Sequence, residues 1–259
     1  MSRNKFYLGD CLEVMKKIPD KKIDCIICDL PYGTTACKWD AVIPFEPLWK
    51  EYKRIIKEDG AIILFGSEPF SSKLRCSNLE MYKYDWVWIK NRATGHVHSK
   101  NKPMKKHENI SVFSKGVTIH KNQTNNRMKY FPQDLIKVEG KRRKRNDKGD
   151  DSTMSLRNSF HETVIEYENF PCDILNFSIE MGNKRFHPTQ KPVDLLEYLV
   201  KTYTLENDIV LDNCMGSGST GVACMNTNRK FIGIEKEEKY FNIAKKRIEE
   251  AERRTEERC

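Results

Sequence analysis

Short apolar runs alternate with amphipathic stretches along most of this chain, and the two periods can be told apart. Residues 23–28, 61–65, 209–212 and 230–235 are brief and almost continuously apolar, which predicts strands buried on both faces. Between them lie stretches with apolar positions at helical spacing. Leu48, Tyr52, Ile55 and Ile56 mark a helix over 45–57, closed by Asp59-Gly60. Phe70 and Leu74 mark one over 69–78. Val193, Leu195, Leu196, Leu199, Val200 and Tyr203 predict a helix with Pro192 at its first turn, and residues 237–254 predict a charged final helix. Residues 84–89 and 109–113 are expected as neighbouring antiparallel strands. Helices and strands in alternation predict an α/β protein with a doubly wound, mostly parallel sheet. Residues 115–182 break the alternation, being polar and irregular, and are expected as a long insert.

Composition narrows the class. A chain of 259 residues suits one domain with an insertion. The formal charge of +9, with a pI near 9.0, favours a polyanionic partner, and the run Lys141-Arg142-Arg143-Lys144-Arg145 concentrates that charge. The nine cysteines lack zinc-ligand spacing, so reduced, mostly buried thiols and no metal are expected. The absence of a signal peptide or a long apolar span predicts a cytoplasmic protein with no membrane association.

Two strand ends carry the chemistry. Asp29-Leu30-Pro31-Tyr32-Gly33 follows the strand at 23–28, and ligands of open α/β sheets bind at the carboxyl ends of strands. There the Asp29 carboxylate and the Leu30 carbonyl can accept hydrogen bonds from an amine. Pro31 stiffens the turn, and Tyr32 offers a flat face. The second strand end is Asp212, followed by the turn through Gly216, Ser217, Gly218, Ser219 and Thr220, a helix start, and a strand ending on Glu235. A Gly-rich turn lets backbone approach a ligand, and an acid about 20 residues on suits a ribose hydroxyl pair.

Together these features resemble the S-adenosylmethionine-dependent DNA amino-methyltransferases. Asp29-Leu30-Pro31-Tyr32 resembles their Asp-Pro-Pro-Tyr motif, with Leu30 where Pro is usual; a Leu keeps the carbonyl but leaves the loop less restricted. Asp212 to Thr220 resembles their cofactor loop, and His187-Pro188-Thr189-Gln190-Lys191-Pro192 the segment preceding it. With the catalytic motif first and the cofactor motif last, the order is that of the circularly permuted β class. The resemblance spans 4–114 and 183–250.

It implies a seven-stranded Rossmann-like methyltransferase sheet from 1–114 and 183–259, with 115–182 as the target-recognition insert. It also implies S-adenosylmethionine as cofactor, touched by Asp10, Cys11, Asp29, His187, Thr189, Gln190, Lys191, Asp212, the turn 216–220 and Glu235. The strand at 6–8 would deliver Asp10 to the adenine amine of the cofactor. The substrate implied is a flipped-out base of double-stranded DNA. Asp29, Leu30, Pro31 and Tyr32 would hold its exocyclic amine, and Trp39, His107 and the 141–145 cluster would contact DNA, although packing for Trp39 and a plain surface for His107 are open alternatives. Asp at the first motif position points to adenine N6, with cytosine N4 open in the same class. A homodimer and a partner restriction endonuclease are further expectations of the class. From other classes, a nicotinamide-dependent dehydrogenase would use Gly216, Gly218 and Glu235 but leave Asp29 to Tyr32 idle, and a catalytically inactive DNA-binding protein would have no need of Asp29 and Glu235.

Overall fold

The computed structural model describes residues 4–34, 40–119, 126–144, 162–179 and 190–257, with backbone only at 141–144 and 162–164. The chain forms two compact units, Met1–Phe131 with Asp173–Cys259, and Pro132–Cys172.

The larger unit is built on an eight-stranded sheet. Its strands are β1 (Lys5–Leu8), β2 (Ile23–Cys28), β3 (Ile56–Gly66), β4 (Tyr82–Thr94), β5 (Lys105–Ser114), β8 (Ile174–Asn176), β9 (Ile209–Asp212) and β10 (Lys230–Glu235). The spatial order is β1-β10-β9-β2-β3-β5-β4-β8. Pairing is parallel from β1 through to β3, antiparallel on both sides of β5, and parallel again between β4 and β8. The two strands near the end of the chain therefore lie between the first two, which is the circular permutation expressed as topology. The seven expected strands are present, and β8 adds a three-residue edge from within the stretch expected as insert.

Helices cover both faces. α1 (Cys11–Met15), α2 (Phe45–Ile55) and α3 (Phe70–Cys76) lie on one face, and α4 (Val193–Tyr203), α5 (Ser219–Asn226) and α6 (Glu238–Glu256) on the other. The period-2 alternation of the strands divides the core between them. Cys25, Ile27, Ala61, Ile63 and Phe65 point to the α4–α6 side, whereas Ile26, Cys28, Ile62 and Leu64 point to the α1–α3 side. Central strands buried on both faces are why these runs are continuously apolar. No helix among the described residues is long and apolar enough to cross a membrane, and the seven described cysteines are free thiols.

The stretch expected to be irregular carries regular structure. Residues 126–131 are tied into the larger unit: Lys129 N–H donates to the Asp59 carbonyl and Phe131 N–H to that of Thr202, at 2.9 and 2.7 Å. The smaller unit contains an antiparallel ribbon of β6 (Ile136–Lys144) and β7 (Glu162–Glu168). Its register shifts between Lys137 and Lys141, where Gly140 takes φ +27°. Ile136 and Val138 do alternate with charged residues, but the basic run that follows hides the period.

Candidate active site

Four adjacent strands each present an acid at or just past the carboxyl end. Asp10 follows β1, Glu235 ends β10, Asp212 ends β9 and Asp29 follows β2. The parallel register puts Leu8 beside Glu235 and Gly233 beside Asp212, so the acids line one rim. β9 leads to β10 in one direction while β2 leads to β3 in the other, so the rim straddles the point where strand order reverses, the usual ligand crevice of such sheets.

All four acids line a cavity of about 590 Å³, together with Cys11, Leu30, Pro31, Tyr32, Gln190, Lys191, Gly216, Ser217, Ser219 and Thr220. Most of the candidate residues are thus brought together. Gly218 is not on the wall. It caps α5 at φ +81°, where a Cβ would lie 2.8 Å from the Cβ of Ala244, so its role is to let α5 and α6 close on each other. Gly216, at φ +50°, differs: a Cβ there would meet nothing within 4 Å. Trp39, His187, Thr189 and Arg145 lie outside the described residues, as do the side chains of Lys141, Arg142, Arg143 and Lys144.

Each acid is held by its own local structure. Asp10 caps α1, its Oδ1 accepting Leu12 N–H at 2.9 Å. Asp212 is buried beneath the Gly-rich turn; it accepts Cys214 N–H at 3.1 Å and the Thr220 hydroxyl at 2.7 Å. Burial pushes its carboxyl up to about 7 in spite of those bonds. Glu235 accepts Gly216 N–H on Oε2 and Glu237 N–H on Oε1, each at 2.8 Å. A carboxylate has about four acceptor sites, so both oxygens keep capacity for another donor.

Asp29 sits in a denser network. Its Oδ1 accepts the Tyr32 hydroxyl at 2.6 Å and its Oδ2 the Lys191 ammonium at 2.5 Å. Lys191 is 7% exposed and also lies 3.3 Å from Oε2 of Glu108, which in turn bonds Lys90 through Oε1. Burial, opposed by Lys191 and reinforced by Glu108, holds the Asp29 carboxyl above its ordinary range. Glu108 moves the opposite way, because Lys191 and Lys90 outweigh the effect of its burial. For Lys191 burial favours the neutral amine, but the two acids prevail and it stays charged. Phe70 backs the Tyr32 ring, stacked with centroids 4.9 Å apart. Beyond the motif, the buried Asp40 carboxylate accepts both Gly33 and Thr34 N–H at 2.9 Å, so the chain leaving Tyr32 is tied down.

Glu108, Lys90, Asp40, Tyr240 and Arg247 were not among the candidate site residues. Glu108 is the residue next to His107. Strand alternation turns Glu108 to the cavity and leaves His107 exposed, a choice that strand period alone could have indicated. Lys90 and Trp88 share the cavity face of β4 by the same period. Arg247 on α6 bonds the Ser217 carbonyl at 2.5 Å and its hydroxyl at 3.1 Å, bracing the turn. Only tertiary contact reveals that role.

A family model described as DNA methylase, of the N6/N4 type, matches residues 23–246. The chain belongs to that family. It is 28% identical over 255 residues to the type II methyltransferase M.HpaI of Haemophilus parainfluenzae, covering 93% of this chain and 73% of that protein. It is 30% identical over 269 residues to the DNA adenine methyltransferase YhdJ of Escherichia coli (strain K12), covering 94% and 82%. Among solved structures, that of the M1.HpyAVI–SAM complex aligns with a TM-score of 0.61 at 25% identity, covering 95% of this chain and 98% of that one.

Proposed function

We propose that this protein transfers a methyl group from S-adenosylmethionine to the N6 amine of a flipped-out adenine in double-stranded DNA. The observation that carries the reading is that Asp29, oriented by Tyr32 and Lys191, shares one cavity with Glu235 and the open backbone at Gly216.

The cavity suits the cofactor. Its volume lies in the range of small-molecule pockets, roughly 300–1,000 Å³. Glu235 has acceptor capacity for the ribose hydroxyls, Asp10 lies at the neighbouring strand end for the adenine amine, and Gly216 leaves room for close approach. When bound, S-adenosylmethionine supplies an electrophilic methyl on its sulfonium.

The chain's own residues act on the base. The exocyclic amine of adenine is a weak nucleophile because its lone pair is delocalised into the ring. Asp29 and the Leu30 carbonyl accept its N–H bonds, turn the lone pair toward the methyl and stabilise the positive charge that grows on nitrogen. The new C–N bond forms as the C–S bond breaks, and one amine proton is then lost. Asp29, with its affinity for protons raised by burial, would accept it. Tyr32 stacks on the base, which must leave the duplex to arrive there. Asp29 at the first motif position, and the likeness to an enzyme named as a DNA adenine methyltransferase, support adenine over cytosine N4. In this reading residues 115–182 form the target-recognition insert, whose basic run in β6 and beyond contacts phosphates.

The test is incubation with methyl-labelled S-adenosylmethionine and duplex DNA, followed by digestion to nucleosides. N6-methyladenine is expected, and Asp29→Ala should retain less than roughly a tenth of the turnover, because losing such an acceptor costs ~2–4 kcal/mol. N4-methylcytosine would replace the adenine reading. Label absent from every nucleoside would overturn the activity.

A further inference from the structure

We infer that the β4–β5 hairpin is a DNA-backbone clamp at the rim of the active site, its cations seated on phosphates beside the extruded base. The inference rests on the proposed DNA methyl transfer and adds to it a surface of which only His107, at its end, is among the candidate DNA contacts.

The hairpin spans residues 90–107. It holds Lys90, Arg92, Lys100, Lys102, Lys105 and Lys106, with His96, His98 and His107, and not one Asp or Glu. Thr94 pairs with Lys105 across its stem, and a short turn of 3-10 helix, His96–His98, caps its tip. Every residue from Arg92 to His107 is exposed apart from the half-buried Ala93.

The charges divide into two sets. Lys90 and Lys105 are used internally: Lys90 bonds Glu108, and Lys105 donates to the Ser67 hydroxyl and the Glu68 carbonyl at 2.7 and 2.9 Å, pinning the hairpin to the end of β3. Arg92, Lys100, Lys102 and Lys106 have no carboxylate partner among the described residues. Several surface lysines elsewhere do have an acid beside them, as Lys16 has Glu13, Lys21 has Glu58 and Lys53 has Glu80. Four exposed cations without a counter-charge on one anchored hairpin repel each other, and the arrangement is relieved by an external polyanion.

Position selects DNA as that polyanion. Trp88, Lys90 and Thr94 of β4 and Glu108 of β5 line the same cavity as Asp29. The hairpin is therefore an outward extension of the cavity wall, rigid at its root and cationic along its length. A nucleotide turned into that cavity remains joined to phosphates on both sides, and these must pass the rim. Contacts of this kind fix where the duplex sits without reading its sequence.

The test is a variant with Arg92→Gln, Lys100→Gln, Lys102→Gln and Lys106→Gln, compared with wild type in duplex-DNA binding over a series of salt concentrations. Melting temperature and S-adenosylmethionine affinity serve as fold controls and should match wild type. The expected result is weaker DNA binding, a higher KM for DNA, and a log–log salt slope reduced by about 0.9 for each phosphate left without its cation. The methylated sequence should be the same. An unchanged slope with intact wild-type methylation would overturn the clamp alone, and so would an altered target sequence, which would make the hairpin a base reader. Failure of the wild-type protein itself to bind or methylate DNA would instead overturn the proposed function.

Discussion

Lys191 donates to Asp29 across 2.5 Å, although the two residues are 162 positions apart in the chain. The bond joins the loop after β2 to the segment entering α4, and it places a buried cation between two half-buried acids, Asp29 and Glu108. A cation so placed orients the Asp29 carboxylate and opposes the rise in its proton affinity that burial causes.

Lys191→Met should therefore move the acidic limb of the pH–rate profile to higher pH. Without the ammonium, Glu108 repels Asp29 directly, with Tyr32, Asp212 and Lys90 the other ionisable groups around them, and Asp29 takes up its proton more readily. Single-turnover methyl transfer measured across the acid range checks this. Lys191→Arg, which keeps the charge, should restore much of the profile, whereas a limb that stays put in the Met variant would remove Lys191 from the control of Asp29.

Glu235→Ala should weaken S-adenosylmethionine binding by roughly ten- to a hundredfold, since hydrogen bonds to a charged acceptor contribute ~1.5–3 kcal/mol. The variant also strips the acceptor from Gly216 and Glu237 N–H, so the turn should loosen. Glu235→Gln, which keeps one acceptor oxygen, should fall between. Calorimetric titration giving wild-type affinity for both would dissociate Glu235 from the cofactor.

Gly216 and Gly218 should respond to alanine in opposite ways, though both have positive φ, a backbone state that costs a side-chain residue ~1–2 kcal/mol. At Gly218 the added carbon strikes Ala244, so the melting temperature should drop most there. At Gly216 the carbon enters open space on the cavity wall, so the larger loss should be in cofactor affinity. Equal losses in both quantities for the two variants would contradict the division.

Asp212 gives stability a pH dependence of known sign. Its carboxyl is raised from an ordinary 3.8 to about 7 in the folded chain. Between those values the folded state holds a proton that the unfolded chain releases, so stability should decline as pH rises toward 7. Asp212→Asn lacks that proton. Thermal melting over this range should show a flatter pH dependence for the variant, offset by a constant loss from the missing acceptor for Thr220 or Cys214. Parallel curves for the two proteins would mean that Asp212 titrates alike folded and unfolded.

Most of the sheet was legible because its central strands are buried on both faces, and such strands carry an unbroken apolar signal, as at Ile26-Ile27 and Ile62-Ile63-Leu64. The acids ending them were legible for the same reason, since each stands where such a run stops. β8 was not, for a three-residue edge strand with only Leu175 buried has too short a pattern to register. Lys191 was expected to touch the cofactor, yet its strongest contacts are Asp29 and Glu108, a pairing between distant segments that no local pattern encodes. Arg247 was hidden likewise among the many charges of α6, where only its contact with Ser217 sets it apart.

The placing of β10 and β9 between β1 and β2 also bears on how the molecule is made. Asn4 accepts from Phe231 N–H at 3.2 Å, a contact spanning 227 positions. During synthesis β1 thus emerges more than two hundred residues ahead of β10, the strand it pairs with. A strand so far from its partner depends on closure of a very large loop, which slows folding and lengthens the time that apolar edges stay open. β2 and β3 can pair early, but the half of the rim that carries Asp212 and Glu235 stays unbuilt until β9 and β10 have left the ribosome. A chain interrupted before β9 would thus carry Asp29 without Asp212 and Glu235, which share its cavity in the finished fold.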